Sequence, residues 1–265
     1  MKTNKIIAVC LLMATLLACN AVTQAPQLLP TATLEQIPTS VPAATAAPLY
    51  QQVTLTGSKA MEEGKTPDYT VETEMPVLQG SDDPRVANFN QAVAAIVSGQ
   101  IAGFKKNLID WTPSPVTNLS TFFQTYELIS PVGNVISLQI KIEYYMAGAA
   151  HPAHQTISYS YDLEKGQEIT LNQLFLPNAN ALPTIADYCK AELGKRDIAF
   201  DAFSNGADPI AENYTVWNIS TAGLVILFNE YQVAPYAAGP QTVILPRDVL
   251  GAVIDPSGPL AQAKP

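Results

Sequence analysis

At 265 residues, of which 48% are hydrophobic, the chain has the length of one ordinary globular domain plus appendages. A formal net charge of −9 and the lack of any Lys/Arg-rich run argue against nucleic acid as a partner, because a phosphate backbone demands a basic face. The acidic excess reads first as solubility, although it also suits a basic partner.

The N-terminus, MKTNKIIAVCLLMATLLACN, sets Lys2 and Lys5 ahead of an apolar run from Ile6 to Ala18. The run is shorter than the about 20 residues that span a bilayer and follows a positive stretch, which is the pattern of a secretory signal. Its end, Leu16-Leu17-Ala18-Cys19, resembles a bacterial lipobox. That resemblance implies a lipoprotein signal peptide over 1–18, cleavage before Cys19, and acyl chains on Cys19 that hold the chain to the bacterial membrane on its extracytoplasmic side. An ordinary signal peptide or an uncleaved anchor is the competing account. Cleavage would remove two lysines and no acid, moving the net charge from −9 to −11. Of the three cysteines, Cys10 would leave with the signal and Cys19 would carry lipid, so Cys189 has no disulfide partner. It shares helical spacing with Leu182, Ile185 and Leu193 and reads as a small buried hydrophobe.

Residues 19–51 are rich in Pro, Thr, Ala and Gln and cannot bury enough surface to offset their ordering entropy. They read as a disordered tether, with a reach of about 90 Å for roughly 30 residues at ~3.1 Å each. The folded domain is expected over 52–255, followed by a disordered tail over 256–265. Within the domain, YTVETEMPV (69–77) alternates as a half-buried strand does. Asp83 and Pro84 then open a helix whose stripe runs Val86, Phe89, Val93, Ile96, Val97, Ile101, Phe104 and Leu108. Strands follow at 121–129, 136–146 and 156–163, the last two pairing antiparallel. On the middle one, Ile136, Leu138, Ile140, Ile142, Tyr144 and Met146 share a face, with Ser, Gln, Lys, Glu and Tyr opposite. A tight turn at 164–167, a helix over about 180–195, a hairpin over 214–230, a strand at 241–246 and a short closing helix complete the pattern. The class is α+β: an antiparallel sheet packed with one long and one or two shorter helices.

Three stretches carry a resemblance when taken in order: YTVETEMPVLQGSDDPRVANFNQAV (69–93), YYMAGAAHPAHQTISYSYDLEKGQEITLNQLF (144–175) and LFNEYQVAPYAAGPQTVILPRDVL (227–250). Together they resemble the extracellular domain of RsiV-type anti-sigma factors, a domain of unknown function that also stands beside the catalytic domain of a peptidoglycan deacetylase. The resemblance spans roughly 55–252. Its motif positions here are Gly148, His151, Tyr231, Pro235, Tyr236 and Gly239, with the family's glycine-rich turn departing to Ala147-Gly148-Ala149-Ala150-His151-Pro152. It implies binding of a lysozyme-like protein. Neither the anti-sigma nor the deacetylase activity is expected to carry over, since only five residues precede the apolar run and no second domain follows the first.

Both histidines of the chain, His151 and His154, fall in GAAHPAH (148–154). As metal ligands they are two where a catalytic zinc needs about three protein ligands and a structural one four. As acid/base groups they lack a Gly-x-Ser-x-Gly, a His-Glu-x-x-His or a reactive cysteine nearby. Asp162 and Glu168, on the same hairpin, read as solvated turn residues. The favoured reading makes the stretch a hairpin connection, with His151 packing on the APYAAG loop (234–239) and His154 incidental. Tyr145, Tyr231 and Tyr236 are the candidate contacts for a glycan or a protein. The expected function is therefore a non-enzymatic, lipid-anchored envelope module that binds a lysozyme-like protein or peptidoglycan, needs no cofactor and binds no nucleic acid. The alternative is a metal-assisted hydrolase of cell-wall glycan acting through His151 and His154.

Overall fold

The structure, a computed structural model, describes residues 47–111 and 119–263. The signal peptide, Cys19 and the tether as far as residue 46 lie outside the described residues. Among the described residues no helix is long and apolar enough to cross a membrane.

Two long strands, β1 (Thr54–Lys65) and β2 (Asp68–Gln79), form an antiparallel hairpin. Helix α1 (Pro84–Asp110) follows. Asp83 caps it by accepting the Arg85 N–H at 2.9 Å, and Pro84 takes the first turn, where a missing N–H costs nothing. The buried stripe is Val86, Phe89, Val93, Val97, Phe104 and Leu108. Because α1 carries the chain back along the sheet, β3 (Ser120–Val132) starts parallel to β2, pairing Ser120–Gln124 with Tyr69–Thr73. This one parallel pair departs from an all-antiparallel expectation, and the crossover helix is its cause.

Past Gln124 the two strands part, and side-chain amides replace the missing ladder. Gln124 Nε2 donates to the Glu74 carbonyl at 3.1 Å. Asn90 of α1 accepts the Leu78 N–H at 2.8 Å and donates to the Leu78 carbonyl at 2.9 Å. Strands β4 (Val135–Tyr145), β5 (Ala153–Asp162) and β6 (Gln167–Glu168) then continue antiparallel, giving the order β1-β2-β3-β4-β5-β6. The alternation of β4 puts Ile136, Leu138, Ile140 and Ile142 in the core under α1. Phe89 meets Tyr159 and Tyr161 of β5 with ring centroids 5.9 and 5.4 Å apart. Each such side chain buried here stabilises the domain by about 1.5–3 kcal/mol.

The second core is built on α2 (Ala181–Leu193) and a small antiparallel sheet of β7 (Trp217–Ser220), β8 (Gly223–Phe228) and β9 (Gln241–Leu245), in the order β7-β8-β9. Ile219, Leu224, Ile226, Phe228, Val243 and Leu245 share this core with Ile185, Cys189 and Leu193. Burial pushes the Cys189 thiol up to about 12, consistent with a packing rather than a chemical role. The β7–β8 turn requires glycine: Gly223 has φ +142°, and a Cβ there would stand 2.0 Å from the Leu245 carbonyl oxygen.

The boundaries need correction. The fold begins before residue 52, since Leu49 is buried in a 3-10 turn over Leu49–Gln51. The tail expected to be disordered is held as far as residue 263. There, α3 (Pro259–Gln262) buries Leu260 completely, and Arg247 Nε donates to the Leu260 carbonyl at 2.9 Å. One apolar anchor and one guanidinium suffice to dock it. The closing helix expected over 247–254 is instead a run of turns, released so that Ile254 can bridge Phe175. Strand β1 was absent from the sequence reading, because TLTGSKAMEEGK lacks an apolar alternation and is mostly exposed.

Candidate functional site

The two sheets are joined along β7 by buried polar groups. Asn218 Nδ2 donates to Ser137 Oγ at 3.0 Å and to the Leu138 carbonyl at 2.8 Å, while its Oδ1 accepts from Gln139 Nε2 at 3.0 Å. The Ile219 N–H donates to Ser137 Oγ at 3.0 Å. Beyond this seam, β8 and β9 stand off the outer face of β3 and β4, and a groove of about 850 Å³ lies between them. One wall presents Phe123, Glu127, Lys141 and Glu143; the other presents Val225, Leu227, Thr242 and Ile244. Val225 and Leu227 are buried at the back, whereas Phe123 and Ile244 are each 47% exposed at the mouth.

A polar cluster closes one end. His154 lies in β5 opposite Glu143, not in the loop. Its Nε2 is 3.2 Å from Glu143 Oε2 and its Nδ1 is 3.0 Å from Glu230 Oε1. Each ring nitrogen thus meets a carboxylate, so that one imidazole stands between two acidic side chains. The Glu230 side chain is 12% exposed and that of Glu143 51%, so the pair spans from wall to solvent. Tyr236 Oη donates to the Pro152 carbonyl at 3.1 Å and sits 3.5 Å from His154 Nδ1. Desolvation, then the charges of Glu230 and Glu143, raise the Tyr236 hydroxyl above the usual tyrosine value and keep it a neutral donor.

Around this cluster stand the residues singled out by sequence. Gly148 takes φ +87°, a conformation that favours glycine, and its N–H donates to Tyr145 Oη at 3.1 Å. Tyr145 is thus half-buried and spent on its own turn. His151 Nδ1 bonds the Pro152 carbonyl at 2.7 Å, and its ring stacks on Tyr236 at 4.1 Å. Pro235 opens and Gly239 closes the 3-10 turn that presents Tyr236. Tyr231 is 57% exposed, has φ +65°, and tilts over Tyr236 at 5.6 Å. The reading of His154 as incidental is corrected, because it ties β4 and β5 to the loop after β8. Asp162 Oδ1 accepts the N–H groups of Glu164 and Lys165, as a turn residue does.

The two histidines do not converge on one point. His151 Nδ1 is bound to its own chain, and the carboxylates on His154 stand off different ring nitrogens. Among the described residues no group of three His, Cys, Asp or Glu side chains is arranged to hold a metal ion. The bonded partners of His154 are two carboxylates and the Tyr236 hydroxyl. The arrangement gathers carboxylate acceptors, an imidazole and aromatic faces at one end of the groove. Sequence reasoning missed Glu230 and the groove walls, since nothing local marks where two sheets will stand apart.

Residues 172–248, from the turn before α2 through β9, match the family described as protein of unknown function, DUF3298. Over that stretch the chain matches the DUF3298 domain. Two solved DUF3298 structures share its fold. One, from Bacteroides fragilis, has a TM-score of 0.61 at 14% identity, covering 80% of this chain and 96% of that one. The other, from Pseudomonas aeruginosa, has 0.53 at 13%, with the same coverage. Immunogenic protein MPT64 of Mycobacterium tuberculosis is 27% identical over 135 residues, 49% of this chain and 57% of that protein. Peptidoglycan-N-acetylmuramic acid deacetylase PdaC of Bacillus subtilis is 22% identical over 197 residues, 73% of this chain and 40% of PdaC. The chain thus spans about half the length, or less, of these curated relatives.

Proposed function

We propose that this DUF3298 chain is a non-enzymatic binding module of the bacterial cell envelope, anchored through lipid on Cys19, whose ligand is a lysozyme-like protein or peptidoglycan. The observation that carries the reading is the open groove between the sheets, lined at one end by His154 and Glu230, with Tyr236 and Tyr231 of the motif loop next to them. Grooves that mix apolar walls with a few convergent polar groups are binding sites by default. The lipobox supports the envelope setting, and so does the likeness to a peptidoglycan deacetylase.

Pull-down and calorimetry with lysozyme and with purified murein test the reading. The expected result is saturable binding to one of them, weakened by Tyr231→Ala or Tyr236→Ala with the fold intact by circular dichroism. No binding to either at sub-millimolar concentration, or release of acetate or sugar from murein, overturns it. A Cys19→Ala variant is expected to leave the membrane fraction for the soluble one; unchanged fractionation would remove the lipid anchor.

A further inference from the structure

β9 is an edge strand of the small sheet: among the described residues β8 is the one strand paired with it, and Arg196 engages the edge at Gln241 and Thr242. In an antiparallel pair, alternate residues turn their peptide groups toward the partner and away from it. The Thr242 carbonyl points away from β8, because it accepts Arg196 Nη2 at 2.7 Å from outside the sheet. Ile244, two residues on, therefore turns its N–H and C=O the same way. The side chains of Thr242 and Ile244 meanwhile face the groove. Pro240 and Pro246 bracket β9 and limit the usable edge to its five residues. The groove beside this edge mixes apolar side chains, among them Phe123, Leu128, Val225, Leu227 and Ile244, with polar ones, and is acidic at one end. Lys141 neutralises Glu127, but His154 stands against both Glu143 and Glu230, leaving a surplus negative charge.

We propose that the open edge of β9 receives an extended peptide segment of a protein partner, setting apolar side chains against Phe123 and Ile244 and a lysine or arginine against Glu143 and Glu230. Such a segment pairs with the outward main-chain groups of Ile244 and the N–H of Thr242, whose carbonyl Arg196 holds, and gains selectivity from its alternate side chains. The charge surplus fixes the sign of the partner: an acidic segment meets repulsion at the Glu143–Glu230 end. The inference rests on the groove being the binding site of the proposed module, and it selects protein over glycan as the occupant.

Fluorescence anisotropy on the folded protein tests it, with a labelled peptide alternating valine and threonine and carrying one terminal lysine. Three comparisons give the expected result: a loss of about tenfold or more when alternate backbone nitrogens are methylated, when glutamate replaces lysine, and in an Ile244→Lys variant. Glu230→Gln is expected to narrow the gap between the lysine and glutamate peptides. Ile244 is exposed, so its replacement leaves the fold intact, and a thermal melt checks this. Equal binding of the methylated peptide, or no binding of any peptide at millimolar concentration, overturns the inference. The wider reading is judged apart. If wild type and Ile244→Lys pull down murein equally while no peptide binds, the strand-addition idea falls and the envelope module stands. If the lysine peptide binds and neither murein nor lysozyme does, the strand-addition idea stands and the named ligands fall.

Discussion

The two faces of β4 have different fates. Ile136, Leu138, Ile140 and Ile142 all go under α1 and its neighbours. The opposite face divides: Ser137 and Gln139 are buried beneath β7, whereas Lys141 and Glu143 line the open groove. A single strand thus shows two ways of covering a sheet. One is apolar packing, in which the Tyr161 hydroxyl is satisfied by the Arg85 carbonyl. The other is a polar seam, in which Asn218 bonds Ser137, Gln139 and the Leu138 carbonyl. Where that seam ends, the groove begins.

The comparison breaks most visibly on the apolar face. Phe89 is fully buried and touches the rings of Tyr159 and Tyr161. Phe89→Ala is expected to cost about 3–5 kcal/mol in urea denaturation, the sum of lost transfer energy and a residual cavity. A loss under about 1 kcal/mol would mean that α1 is not clamped to the sheet as described.

This face was legible in the sequence and the other was not. Strict alternation over 136–146 and the three–four spacing from Val86 to Leu108 each name their buried side without reference to the rest of the chain. The polar side of β4 reads as solvent-facing, because Ser137 and Gln139 give no local sign that Asn218, about eighty residues on, will cover them. The candidate site divides the same way. The hairpin carrying the histidines and the stacking of His151 on Tyr236 follow from short motifs. Glu230 and Ile244 acquire meaning only from how two sheets are set together. Strand β1 escaped because its partner β2, rather than its own pattern, holds it in place.

The polar seam should give a smaller effect than the core. Asn218→Ala removes the acceptor of Gln139 Nε2 and the donor to the Leu138 carbonyl, both in buried surroundings. The expected cost is about 1–3 kcal/mol, most of it the desolvation of the orphaned groups. Adding Gln139→Leu removes one orphan, so the double variant should recover part of that loss. If it is less stable than Asn218→Ala, the seam contributes through shape and not through satisfied bonds.

The cap of α1 gives a still smaller and pH-dependent signal. Hydrogen bonds from the Arg85 side chain and backbone hold the Asp83 carboxyl down at about 2, below its ordinary 3.8. The folded state therefore favours the anion. That contribution is fully present above about pH 4 and is lost as the pH falls toward 2. Asp83→Asn keeps a capping oxygen but has no proton to gain. The stability gap between wild type and Asp83→Asn should shrink as the pH is lowered through this window, measured by urea denaturation at fixed ionic strength. A constant gap would place the effect in the cap alone and not in the charge.

The groove end should be nearly silent in stability, and this separates it from both faces of β4. Tyr231 holds a positive φ that costs a non-glycine residue of order 1–3 kcal/mol, while its ring contact with Tyr236 returns about 0.5–1.5 kcal/mol. Tyr231→Gly removes both terms, so thermal melts should agree with wild type within about 1 kcal/mol, with gain as acceptable as loss. Ligand binding should nonetheless fall, because the exposed ring is gone. A fall in stability beyond about 2 kcal/mol with binding unchanged would make the ring a prop for the loop. A silent melt with lost binding would mean that the strained backbone is retained for the surface it presents.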